Sequence, residues 1–259
     1  MISRPNGNPA AMTVLDGEPD ATGVGVTPLV TAMSRARETT SPRPLFTDPY
    51  ARLFVDAARE QAPEQSQEIT DHTAAHTKWF DDFLLTASSA GVSQVVILDA
   101  GWDARAWRLP WLDDTVIFEV ERPQVLEFKQ RVLAQADVRP AARYVPVPVD
   151  AHRDWPRELS GAGFDHDEPT VWVAEALLPR LPADDQEHLL GQIDLYSARG
   201  SRIGIEVDPG GPDHECWLCA RHWEVGSTAT VQLLDRYHRA RPGGGSSAGR
   251  SVLLDGRKL

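Results

Sequence analysis

The chain of 259 residues has little cysteine: Cys216 and Cys219 alone. Two thiols three positions apart cannot staple a chain this long, so its stability must come from buried apolar surface, and the usage fits a reducing compartment. Long apolar runs are missing too. No stretch approaches the ~20 apolar residues that span a bilayer. The segment MISRPNGNPAAMTVLDGEPD lacks the apolar core of a secretory leader. A cytoplasmic location with no membrane partner is therefore expected. Basic charge is in deficit, with 26 Lys+Arg against 38 Asp+Glu and a net charge of -12. A nucleic-acid backbone needs a basic face, so it is not expected as the main partner. The dinucleotide fingerprint G-x-G-x-x-G is also absent where it would be needed, which disfavours NAD and FAD.

What is present is alternation of strand and helix, with 41% hydrophobic residues and a mean hydropathy of -0.35. Residues 1–23, rich in Pro, Gly, Asn and Asp, read as a flexible tail, and 24–259 as one domain. Thr27–Thr40 has helical spacing at Leu29, Val30, Met33 and Ala36. Asp48 and Pro49 open a second helix as N-cap and first helical position. HTKWFDDFLLTASSAG predicts a third, ending near Gly91. From there VVIL (Val95–Leu98), TVIFEV (Thr115–Val120), RYVPVPVD (Arg143–Asp150), TVWVAEAL (Thr170–Leu177) and SRIGIEVD (Ser201–Asp208) read as strands, with the prolines of the third a caution. PQVLEFKQRVLAQA and DDQEHLLGQIDLYSA read as helices, as do CWLCARHW and TATVQLLDRYH. GGGSSAG is a turn and RSVLLDGRKL a closing strand. This order predicts an α/β fold with a doubly wound, mostly parallel sheet, whose ligand lies at the carboxyl ends of the strands.

Those ends carry acids: Asp99, Glu119 and Glu121, Asp150, and Glu175. A phosphate-rich cofactor would be repelled there. Glu121 stands about 20 residues past the glycine turn, where a carboxylate can accept both hydroxyls of a ribose. S-adenosyl-L-methionine has a ribose, an adenine and a sulfonium cation, and no phosphate.

With these residues in view, the chain resembles the class I S-adenosyl-L-methionine-dependent methyltransferases, in particular the leucine carboxyl methyltransferase-like family of actinobacteria. The runs TPLVTAMSRARE, LFTDPYARLF, HTKWFDDFLL, VVILDAGWDARAWRLPW, VIFEVERPQVLEFKQRVL, PVDAHRDWPREL, VWVAEALLPRLPADDQEHLL and HWEVGSTATVQLLDRY occur in family order over more than four-fifths of the chain. The resemblance implies a Rossmann-like sheet of seven strands with an N-terminal helical cap. It implies S-adenosyl-L-methionine as cofactor and S-adenosyl-L-homocysteine as product. Carried onto this chain, the glycine loop is Asp99-Ala100-Gly101-Trp102-Asp103-Ala104-Arg105, the ribose acid Glu121, the adenine-side acid Asp150 with Ala151, and the methionine-side acid Glu175. His76 falls where the family has an arginine that grips the cofactor carboxylate.

The departures carry information. Asp99 replaces the first glycine, although in a D-x-G register it would meet the cofactor ammonium. Ala176 stands for glycine, Arg180 for an aromatic residue, and the segment 208–214 that roofs the pocket in relatives is short. Arg180 is expected to hold the acid of a small-molecule carboxylate substrate, as in secondary metabolism. A carboxylate is already ionised and needs no general base. The departures also leave room for an alternative: loss of methyl transfer, with a cofactor-independent cyclisation or rearrangement, or a non-catalytic binding role. His214, Cys216, Cys219 and His222 have ligand chemistry but fit one helix, which cannot close a tetrahedron, so no metal is expected.

Overall fold

The computed structural model describes residues 26–58, 65–151, 154–240 and 251–259. The expected tail 1–23 and the GGGSSAG turn lie outside these residues. Uninterrupted apolar runs form the middle of the sheet: β1 (Gln94–Leu98) and β4 (Thr170–Ala174) are buried at every position. Beside them run β2 (Val116–Glu121), β3 (Arg143–Pro148), β5 (Arg202–Val207), β6 (Trp223–Ala229) and β7 (Val252–Lys258). The order is β3-β2-β1-β4-β5-β7-β6, and β7 alone of these runs against its neighbours. Pro146 and Pro148 are accommodated because β3 is an edge strand, paired with β2 on one side.

Alternation along the strands divides the core in two. Val95, Ile97, Ile117, Val171, Val173 and Leu253 face one layer. That layer is built from α1 (Val26–Thr39), α2 (Ala51–Ala58), α3 (Gln67–Ser89), α4 (Arg105–Arg108), α5 (Pro123–Gln135) and α9 (Thr230–Arg236). Val96, Leu98, Phe118, Trp172, Ile203 and Ile205 face the other, formed by α6 (Trp155–Gly161), α7 (Ala183–Leu195) and α8 (His214–Cys219). Both faces are covered, as a parallel sheet requires.

The turn after β1 leads into a helix of one turn, α4, because Leu109 already has extended backbone. Three expectations need correction. The third helix begins at Gln67 rather than His76, capped by Ser66, which accepts from the Ile69 N–H at 3.3 Å. Trp223, read as a helix end, and Thr228–Ala229, read as a helix start, belong with the residues between them to β6, a half-exposed edge strand whose Gly, Ser and Thr give no apolar signal. Asp48 does cap the second helix, accepting from Tyr50 and Ala51 at 3.0 Å each, but the helix starts at Ala51 and Pro49 lies in the preceding turn.

Gly256 lets β7 lie flat against the core: a Cβ there would sit 2.8 Å from Ile203 Cγ2 and 3.4 Å from the Trp223 ring. Gly256→Ala is expected to lower unfolding stability by about 1–3 kcal/mol through overpacking, measured as a lower denaturant midpoint with unchanged slope.

Candidate active site

The site is built where β1 and β4 diverge to opposite neighbours, at their carboxyl ends. Both strands leave the sheet through residues in the left-handed region: Asp99 (φ 53°) and Gly101 (φ 52°) after β1, Ala176 (φ 53°) after β4. A side chain at such a position is strained unless its surroundings hold it. Here an ion pair holds both turns. Arg180 donates from Nε to the Ala176 carbonyl at 2.7 Å and pairs with the Asp99 carboxylate across the cleft. Arg180 thus has a partner within the chain, which the expectation of a substrate-holding arginine did not include.

Glu121, at the end of β2, is locked by backbone donors: Gly101 N–H at 2.8 Å on one oxygen and Arg122 N–H at 2.7 Å on the other. Burial, then the charge of Asp99, push its carboxyl upward, and the two N–H groups partly offset this. The Arg122 guanidinium also stands 3.5 Å from one Glu121 oxygen, and a carboxylate, with about four acceptor positions, still has room for hydroxyl groups beside these partners. Ala100 and Gly101 line the same turn and are half-buried. Asp150 is half-buried at the exit of β3, and Ala151 is buried in the second core.

Beneath this turn lies a charged network. Arg105, fully buried, donates to Asp81 (2.7 Å), Asp103 and Glu175 (2.8 Å). Arg108 adds two bonds of 2.6 Å to Asp81, and Arg35 approaches Glu175 at 3.4 Å. The carboxylate of Asp103 also accepts from the Arg105 N–H at 2.6 Å. Burial alone would raise the Asp103 carboxyl, but Arg105 and the neighbouring cations hold it well below the usual range. Asp103 is buried and its carboxylate is bonded to Arg105, a support for the loop. Glu119, on the opposite face from Glu121, pairs in the core with Lys129 and accepts from the Tyr144 hydroxyl at 2.8 Å.

His76, on α3, is buried as well. Its Nδ1 lies 3.3 Å from Glu206 and its Nε2 2.8 Å from the Thr230 hydroxyl, so both ring nitrogens are engaged inside the protein. Burial disfavours its charge, but Glu206 outweighs that and raises its pKa. Burial would raise Glu206 too, yet His76 above all lowers it to about 2. Glu206 in turn accepts from Ala176 N–H at 3.2 Å. Glu206 and Arg35 were missed from sequence. Glu206 had a signal, since it too is an acid at a strand end; Arg35 had none beyond its place in the SRARE run.

The arrangement supplies carboxylates suited to ribose hydroxyls and an ammonium, and cations suited to a carboxylate, without a phosphate cradle. This donor set fits a sulfonium nucleoside. The strand order, with β7 reversed and the acid after β2 hydrogen-bonded to the glycine turn, defines the class I methyltransferase fold. Solved structures agree on the fold: a DUF574 family protein from Streptomyces avermitilis (TM-score 0.55, 16% identity, 88% of this chain and 97% of that one) and magnesium protoporphyrin IX methyltransferase from Synechocystis with bound S-adenosyl-L-methionine (0.53, 8%, 89% and 97%). Residues 28–194 match the leucine carboxyl methyltransferase family. Proteins named as S-adenosyl-L-methionine-dependent methyltransferases are similar over most of the chain. One from Mycolicibacterium gilvum is 56% identical, covering 96% of this chain and all of its own length. One from Mycobacterium ulcerans is 39% identical, covering 85% and 89%. The chain belongs to the leucine carboxyl methyltransferase family and is an S-adenosyl-L-methionine-dependent methyltransferase.

Replacing Asp103 by Asn tests the network beneath the turn. A carboxyl depressed in the folded state contributes stability above its unfolded value, about 3.9, which is lost as pH falls through the folded value. The stability gap between wild type and Asp103→Asn is expected to be full above about pH 5 and to narrow on acidification, read from denaturant midpoints across pH. Arg105→Met leaves Asp81, Asp103 and Glu175 facing one another and is expected to cost about 3–5 kcal/mol.

Proposed function

We propose that residues 24–259 form one cytoplasmic domain that methylates a carboxylate oxygen of a small molecule, a secondary metabolite. The observation that carries this reading is Arg180, an exposed guanidinium at the cleft rim, fixed by the Ala176 carbonyl and balanced by a single carboxylate, Asp99, in a contact that an incoming acid can share. When bound, S-adenosyl-L-methionine supplies a methyl group activated on sulfur for in-line displacement. The chain then has to position rather than to deprotonate, because a carboxylate nucleophile is ionised at neutral pH. The imidazole of His76 is committed to Glu206 and Thr230, consistent with chemistry that uses no base.

For the cofactor, Glu121 would accept the ribose hydroxyls beside the backbone donors that hold it. Asp99 and the Ala100-Gly101 turn would face the amino-acid end, Asp150 with Ala151 the adenine side, and Glu175 the methionine side, steadied by Arg105 and Arg35. Asp99 then serves two cations, which makes the Asp99–Arg180 pair a link between cofactor and substrate positions.

Calorimetric titration is expected to show S-adenosyl-L-methionine and S-adenosyl-L-homocysteine binding wild type at micromolar levels, weakened roughly tenfold to a hundredfold by Glu121→Gln, which removes a charged acceptor. Absence of binding at millimolar cofactor would point to the repurposed or non-catalytic alternative. In a radiolabelled-methyl screen of small carboxylic acids, Arg180→Ala is expected to raise KM for an accepted acid at least about tenfold, the cost of one charged hydrogen bond. An unchanged KM would remove Arg180 from substrate recognition.

A further inference from the structure

Behind the cleft, α3 presents two histidines one turn apart. His72 and His76 have ring centroids 4.0 Å apart with planes tilted by 34°. Residues four apart on a helix share a face, which is how helical zinc sites place paired imidazoles. Glu206 reaches the same point from the end of β5. One donor atom from each of His72, His76 and Glu206 lies within 4.8 Å of the others. Ser251, leading into β7, completes the ring, its hydroxyl oxygen 3.5 Å from Nε2 of each histidine.

We propose that His72, His76 and Glu206 form a binding site for a divalent transition metal of the zinc type, with a fourth position beside Ser251. The set has two imidazoles and one carboxylate, a ligand combination suited to zinc. Tetrahedral ligation at about 2.0–2.2 Å brings donor atoms to roughly 3.4 Å from one another, so the three groups need to close by about 1 Å or a little more. His72 is half-buried while His76 and Glu206 are buried, which leaves one side chain able to swing inward and close the site. The surroundings supply outer support: Thr230 bonds His76 at 2.8 Å, and the Ala176 N–H bonds Glu206 at 3.2 Å. Ligand orientation by such partners is characteristic of metal centres. An occupied site would join α3, β5 and the start of β7 through one ion, directly behind the turn that carries Ala176 and Arg180.

The test uses the full chain stripped with a chelator and then freed of it. Zn(II) is titrated against a chromophoric competitor, and Co(II) serves as a spectroscopic probe. The expected result is one ion per chain at micromolar protein, a thermal midpoint that rises with Zn(II), and a four-coordinate Co(II) spectrum without a sulfur-to-cobalt charge-transfer band. His72→Ala, at the half-exposed ligand, is expected to weaken binding more than about tenfold, while Cys216→Ser with Cys219→Ser leaves it intact. No binding in the wild type overturns the proposal. So does binding that shows the sulfur band, or binding that survives His72→Ala and is lost with the two thiols. The wild-type spectrum decides the ligand type even if the His72 variant does not fold.

Discussion

The geometry of the cleft depends on one buried guanidinium. Arg105 reaches three carboxylates from three parts of the chain: Asp81 on α3, Asp103 in the loop after β1, and Glu175 just beyond β4. A charge of this kind is costly to bury alone, and the carboxylates are costly to bury without it. Their mutual dependence fixes how far the β1 loop can move from the helical layer and from β4. Trp111 ties in as well, donating its indole N–H to the Arg105 carbonyl at 2.8 Å. The loop that must present Gly101 to Glu121 is thereby held from below rather than by its own backbone preference.

Above this support the cleft carries opposing charges at short range. Asp99 and Glu121 approach each other closely enough for Asp99 to raise the Glu121 carboxyl. Arg180 balances the first and the backbone N–H groups balance the second. A net charge of -12 would not by itself favour an acidic substrate. The local field at the rim, set by Arg180 on one wall with Arg35 deeper, is the relevant quantity, because bulk charge is screened within about 8–10 Å.

Much of this architecture is legible in the sequence, and the reasons are physical. VVIL, TVIFEV, TVWVA and RIGIEV read as strands because a sheet covered on both faces needs apolar residues at every position, and the acids that end them mark the ligand side. β6 is not legible, since an edge strand with one side toward solvent needs no apolar run. The roles of His76 and Asp103 are not legible either. Each depends on a partner far along the chain, Glu206 for the first, and for the second a guanidinium whose other contacts come from α3 and β4. Spacing within a motif says that a residue is near the cleft, but it does not say whether the side chain points into it or away. The same holds for Arg180, visible as a cation after β4 and invisible as the partner of Asp99.

The reversed strand has a consequence for how the sheet can be assembled. β6 touches the rest of the sheet through β7, because the order runs β5-β7-β6. β7 must reach back to β5, pairing Arg257 with Arg202 and Val252 with Val207, a contact between distant parts of the chain that forms slowly. Until it forms, the backbone of β5 is an open edge, the kind of bare template that recruits other chains. Proteolytic loss of the short segment Val252–Lys258 would therefore strip two strands at once and turn a closed enzyme into an aggregation-prone one.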